Sequence, residues 1–125
     1  MDTTDLWRFL PADYLFTVAL EAPVLWLLLS PRHPPRRRLL AGFWLTACTY
    51  PVVVLVLPVL LEGATRAAYI LTAELFAPAA ECLLFRAAFG TEDPATCSST
   101  RRDFAAIVAA NLASFAFGEF LFALK

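Results

Sequence analysis

Four stretches of this chain run for about 17–23 residues with few formal charges, long enough to cross a hydrocarbon layer of about 30 Å as helices. They fall at about residues 13–29, 39–61, 67–89 and 104–124. This pattern constrains the fold more than any other feature, because a backbone in lipid must satisfy its own polar groups. Only helices and closed barrels do so. Barrel strands alternate polar and apolar residues, and VVVLVLPVLL and AAIVAANLASFAF do not. The expected fold is an all-α integral membrane protein, a bundle of four transmembrane helices forming one domain over residues 1–125.

Composition excludes the competing classes. Hydrophobic residues make up 60% of 125 and charged residues 17%. A soluble domain this small has too little interior to hide that much apolar surface, and a disordered chain would be poor in Leu, Val and Phe. A net charge of −1 gives no footing for nucleic acid. Three cysteines do not make a disulfide framework, and their spacing matches no zinc pattern. Cys48 and Cys82 fall inside spans, and Cys97 falls in a connection.

The leader MDTTDLWRFLPAD is acidic and is followed by no small-residue cleavage site, unlike a secretory signal. It reads as a short interfacial helix ended by Pro11, with Leu6, Trp7, Phe9 and Leu10 at the headgroup boundary. Basic residues set the orientation. Arg32, Arg36, Arg37, Arg38, Arg86, Arg101 and Arg102 flank connections one and three, against Arg8, Arg66 and Lys125 on the other side. Seven against three places the loops at about 30–38 and 90–103 in the cytoplasm and both termini outside, in a plasma or bacterial inner membrane. Trp7, Tyr14 and Tyr69 then mark the outer boundary. His33, among prolines and arginines, reads as an ordinary loop residue.

The two halves look alike. Thr46, Thr49 and Tyr50 repeat as Asn111, Ser114 and Phe115, 65 residues on, and Glu21 repeats as Glu81, 60 residues on. The expectation is two tandem helical hairpins related by an axis along the membrane normal.

Chemistry concentrates in the carboxylates. Glu21, Glu74, Glu81 and Glu119 lie within spans, where an ionisable group is costly and signals function. No Lys or Arg lies at their depth, and desolvation without a cation favours a neutral acid. Glu74 and Glu81, seven residues apart, share a helix face with Pro78 between them. Asn111, Ser114 and Gly118 form a stripe on the fourth span, and Thr46 and Thr49 another on the second. Depth places Thr46, Thr49, Glu81, Asn111 and Ser114 about 10–15 Å from the inner end, with Glu21 near the middle. Glu74 lies further out, and Glu119 is expected to snorkel outward. The expected site is therefore Glu21, Glu74, Glu81, Asn111, Ser114, Thr46 and Thr49.

Two functions fit. One is proton- or cation-coupled transport or ion handling, with the glutamates carrying the charge and the amide and hydroxyls coordinating it. The other is an accessory subunit whose polar residues bond a partner's helices, since small and polar residues are common glue between membrane helices. No catalytic signature is visible: there is no HExxH, no paired Asp at span centres and no Ser/His pair. The expectation is a non-enzymatic protein with no cofactor and no identified metal. Beyond the lipid bilayer, four thin helices imply a homo-oligomer or a larger membrane-protein partner.

Overall fold

The computed structural model describes residues 3–91 and 93–124. Four long helices follow one another: α1 (Thr3–Leu28), α2 (Pro35–Leu60), α3 (Arg66–Phe89) and α4 (Cys97–Ala123). Each is long and apolar enough to cross a membrane. They pack as a ring, with α1 against α2 and α4, and α3 against α2 and α4.

The ends are set by local chemistry. Pro35 stands in the first turn of α2, where its missing N–H costs nothing. Thr65 caps α3, its hydroxyl accepting from the Ala68 N–H at 3.2 Å. The turn before it needs Gly63 at φ +83°. Before α4, Asp93 accepts from the Ala95 N–H at 3.0 Å and starts a short 3₁₀ turn, Pro94–Thr96. These caps start α2 and α4 earlier than the apolar pattern suggests. Arg36, Arg37, Arg38, Arg101 and Arg102 therefore sit on helices rather than in loops.

One expectation changes here. No separate helix ends at Pro11, because α1 runs unbroken from Thr3 through it. Pro11 frees only the Trp7 carbonyl, and Trp7 is exposed, so nothing buried is orphaned. The side chains of Leu6 and Phe9, and all of Lys125, lie outside the described residues. The hydroxyls of Tyr14 and Tyr69 are both tied to a neighbouring helix. Tyr14 donates to the Phe43 carbonyl at 2.8 Å and Tyr69 to the Val53 carbonyl at 2.9 Å, both on α2.

The Tyr69 bond has a cause in the sequence. Within α2, Val52–Val56 forms a π-helical turn, with the Leu57 N–H bonded to the Val52 carbonyl. The Val53 carbonyl would next accept from residue 58, which is proline and has no N–H. Tyr69 supplies the missing donor from α3. Tyr69→Phe is expected to cost about 1 kcal/mol, the low end of the penalty for an unsatisfied acceptor, because the bond is part-buried. Thermal unfolding in detergent measures it, and an unchanged midpoint would remove this role.

The interior is layered along the bundle. At the end holding connections one and three lies an apolar core of Leu25, Leu29, Ala41, Leu45, Phe85, Ala106, Ile107 and Ala110. Next come the buried Glu21, Thr46, Thr49, Glu81 and Asn111. Gly42 brings α1 and α2 together at that boundary. A Cβ built there would lie 2.7 Å from the Ala22 Cβ and 2.8 Å from its Cα. Gly42→Leu is therefore expected to force these helices apart and destabilise the fold by about 1–3 kcal/mol. The same melting measurement tests it.

Candidate functional site

Glu21 and Glu81 project from opposite helices of the ring, α1 and α3. The carboxylate of Glu21 accepts from the Thr46 hydroxyl at 2.8 Å and from the Ser114 hydroxyl at 2.7 Å. That of Glu81 accepts from the Thr49 hydroxyl at 2.7 Å and from the Asn111 amide at 2.7 Å. Each of the four carboxylate oxygens thus receives one hydrogen bond, and each glutamate is held by one donor from α2 and one from α4. Spacing explains the sharing. Thr46 and Thr49, three residues apart on α2, reach different neighbours from one face, as do Asn111 and Ser114 on α4.

The donors are themselves tied to their helices. The hydroxyls of Thr46, Thr49 and Ser114 lie 2.9, 3.1 and 2.9 Å from the carbonyls of Gly42, Leu45 and Asn111. Asn111 also donates to the Ile107 carbonyl at 3.0 Å. A hydroxyl has one hydrogen for two acceptors, whereas the amide has two hydrogens and serves both.

All six side chains line one cavity of about 180 Å³, together with Thr17, Tyr50, Val53, Ala73, Glu74, Ala77 and Phe115. Ala73, Ala77 and Glu81 recur every fourth residue along α3, so two small side chains make the space into which Glu81 faces. No Lys, Arg or His among the described residues lines it.

The sequence-predicted residues divide accordingly. Glu21, Glu81, Thr46, Thr49, Asn111 and Ser114 come together by direct hydrogen bonds. Glu74 reaches the same cavity, half-buried, and among the described residues accepts no hydrogen bond. Gly118, on the Asn111 stripe, is exposed with open space around it and takes no part. Glu119 is not free at the boundary. It accepts from Arg66 at 2.7 Å, and Arg66 also lies 4.6 Å from the centre of the Phe122 ring. Among the described residues, no three His, Cys, Asp or Glu side chains converge as a metal site.

A second polar centre was not expected. His33 is no ordinary loop side chain: it is fully buried, its Nε2 2.8 Å from Asp103 Oδ2. Asp103, equally buried, also accepts from the Ser30 N–H at 2.8 Å and from Arg32 at 3.3 Å. Arg37 lies 3.4 Å from His33 Nδ1. Arginine only donates, so Nδ1 accepts and Nε2 donates to Asp103. The imidazole packs edgewise on Phe85 with centroids 4.9 Å apart. Around it, Arg38 donates to the Trp26 carbonyl at 3.2 Å and Arg102 to the Leu28 carbonyl at 3.0 Å, capping the last turn of α1. The centre fastens connection one to the start of α4. Its one signal in the sequence is Asp103, an acid directly following Arg101 and Arg102.

Set against known protein families, curated proteins and solved structures, the chain matches none.

Proposed function

We propose that this chain is a multi-pass membrane protein that binds and moves protons or another small cation through the Glu21–Glu81 site, without catalysing a covalent reaction. One observation carries the reading: two buried carboxylates face one cavity with no basic residue lining it, and every neighbour bonded to them is a donor. Ionised carboxylates in a site of low dielectric call for positive charge, and nothing described in the cavity wall supplies it. The same pattern favours this reading over the accessory-subunit one for these residues, because the hydrogen bonds they make are within the bundle.

The network also supports the tandem repeat. Exchanging Glu21 with Glu81, Thr46 with Asn111, and Thr49 with Ser114 turns the bond Glu21–Thr46 into Glu81–Asn111, and Glu21–Ser114 into Glu81–Thr49. All four are observed. The basic residues favour both termini outside and connections one and three in the cytoplasm, a topology that cysteine labelling at either terminus tests. Much of each helix surface is apolar and faces outward, fit for lipid or for a further copy of the bundle.

The test is flux in proteoliposomes under an imposed pH or cation gradient. Wild type is expected to dissipate the gradient, and a Glu21→Gln, Glu81→Gln double variant to leave it intact. No wild-type flux under any gradient, or equal flux in the variant, removes the reading.

A further inference from the structure

A second hollow lies on the outside of the bundle, in the seam between α3 and α4. It measures about 620 Å³ and is lined by Arg66, Ala67, Ile70, Leu71, Glu74 and Phe115. On α3, Ala67, Ile70, Leu71 and Glu74 are spaced i, i+3, i+4, i+7, one continuous stripe. The central cavity uses a neighbouring stripe of the same helix, Ala73, Ala77 and Glu81. Glu74 and Phe115 line both spaces. The groove therefore runs from the Arg66 end of α3 for about 12 Å, at about 1.5 Å per residue, and ends at the carboxylate and phenyl ring that also line the central cavity.

Three further facts bear on what such a groove takes. Its wall is aliphatic and aromatic except at its two ends. At the outer end the charge of Arg66 is met by Glu119 and the Phe122 ring, so the mouth carries no free cation to repel one. At the inner end Glu74 accepts no hydrogen bond among the described residues, unlike Glu21 and Glu81. Beyond it the central cavity is small and holds two more carboxylates. The hollow thus offers a long apolar wall leading to an unengaged acid.

We propose that the α3/α4 groove is a lateral portal through which a single-chain lipophilic ammonium compound reaches the central cavity from the surrounding apolar phase, its amine meeting Glu74 and its chain lying along Ala67, Ile70 and Leu71. The proposal rests on the cation-binding reading and narrows it to a class of ligand and a route. Charge complementarity selects an amine over a carboxylate or an alcohol, because the inner end holds acids only. The apolar wall selects a chain over a compact ion. Phe115, which lines both spaces, adds an aromatic ring of the kind that attracts an ammonium group.

The test uses tritiated dodecylamine, charged at neutral pH, and the purified full chain in detergent, with saturable binding read by scintillation proximity. Wild type is expected to bind it, and unlabelled dodecanol and dodecanoate to compete poorly. Glu74→Gln is expected to weaken binding about tenfold or more, as loss of a charged partner does. Ile70→Trp and Leu71→Trp fill the groove from its apolar side. Leu71 is exposed, so that variant leaves the bundle's packing untouched. Both are expected to weaken dodecylamine binding about tenfold or more while leaving gradient-driven flux of protons or small cations as in wild type. Unchanged affinity in both Trp variants, or equal competition by dodecanol, overturns the portal. So does an absence of saturable binding. If flux is still lost in the Glu21→Gln, Glu81→Gln variant, that failure belongs to the portal alone and the cation reading stands. If the double variant keeps wild-type flux, it is the cation reading that falls.

Discussion

Glu81→Gln is expected to insert, assemble and melt like wild type, yet to abolish gradient-driven flux. The amide keeps the shape of the carboxylic acid. Its carbonyl still accepts from one of Thr49 and Asn111, each 2.7 Å from a carboxylate oxygen. Its NH₂ meets the other, and Thr49 can turn its hydrogen to the Leu45 carbonyl at 3.1 Å and accept. What glutamine cannot do is gain or lose a proton or balance a cation. Glu81→Leu removes the acceptor altogether and leaves the Asn111 amide short of a partner, at a cost of order 1 kcal/mol. The pair separates a strut from a working acid. Loss of flux in both variants with loss of stability only in the leucine variant supports the proposed role. Normal flux in Glu81→Gln would reduce Glu81 to packing.

Asp103→Leu is expected to have the largest effect on stability, about 2–6 kcal/mol, because it leaves two buried donors unsatisfied at about 1–3 kcal/mol each. Three donors converge on that carboxylate: the Ser30 N–H, His33 and Arg32. Leucine would strand the Ser30 N–H and the imidazole in a place where neither reaches water. Arg32→Ala is the control. Arg32 is partly exposed and its contact is longer, at 3.3 Å, so its loss should cost no more than about 1 kcal/mol. Thermal unfolding of both variants in detergent decides. An Asp103→Leu protein that melts within about 1 kcal/mol of the Arg32→Ala protein would show that the centre does not hold the two connections together.

The helices and the membership of the central site were legible in the sequence, because both depend on local spacing. Apolar runs give the helices. Thr46, Thr49, Glu81, Asn111 and Ser114 were legible as polar residues at matching depth on three spans, and Glu21 as an acid near the middle of the first. Who bonds to whom was only partly legible: the 65-residue offset set Thr46 against Asn111, but the pairing of each carboxylate with one side chain from α2 and one from α4 depends on the ring order. His33 and Asp103 were illegible for a different reason. They lie 70 residues apart in a connection and a helix start, where no periodicity speaks, and their meeting depends on how connection one folds back over the bundle's end. The Tyr69 bond was not legible either, because a rule for boundary aromatics does not register a freed carbonyl. Pro58 was visible in the sequence; that its vacancy would be filled from α3 was not.

The double attachment of the site's hydroxyls has a consequence of its own. Thr46, Thr49 and Ser114 each stand between a carboxylate oxygen and a carbonyl of their own helix. Turning one such hydrogen needs only rotation about a single C–O bond, with no shift of any helix. When a carboxylate is ionised, the hydroxyl points to it. When that carboxylate takes up a proton, the hydroxyl swings to the backbone and offers its lone pair to the new O–H instead. Each of the three therefore works as a two-position rotor, and the site stays fully bonded at either charge. Such a centre can change its hydrogen-bond pattern on the timescale of side-chain rotation, so under the proposed function a slower step is expected in the helices around it rather than in these hydroxyls.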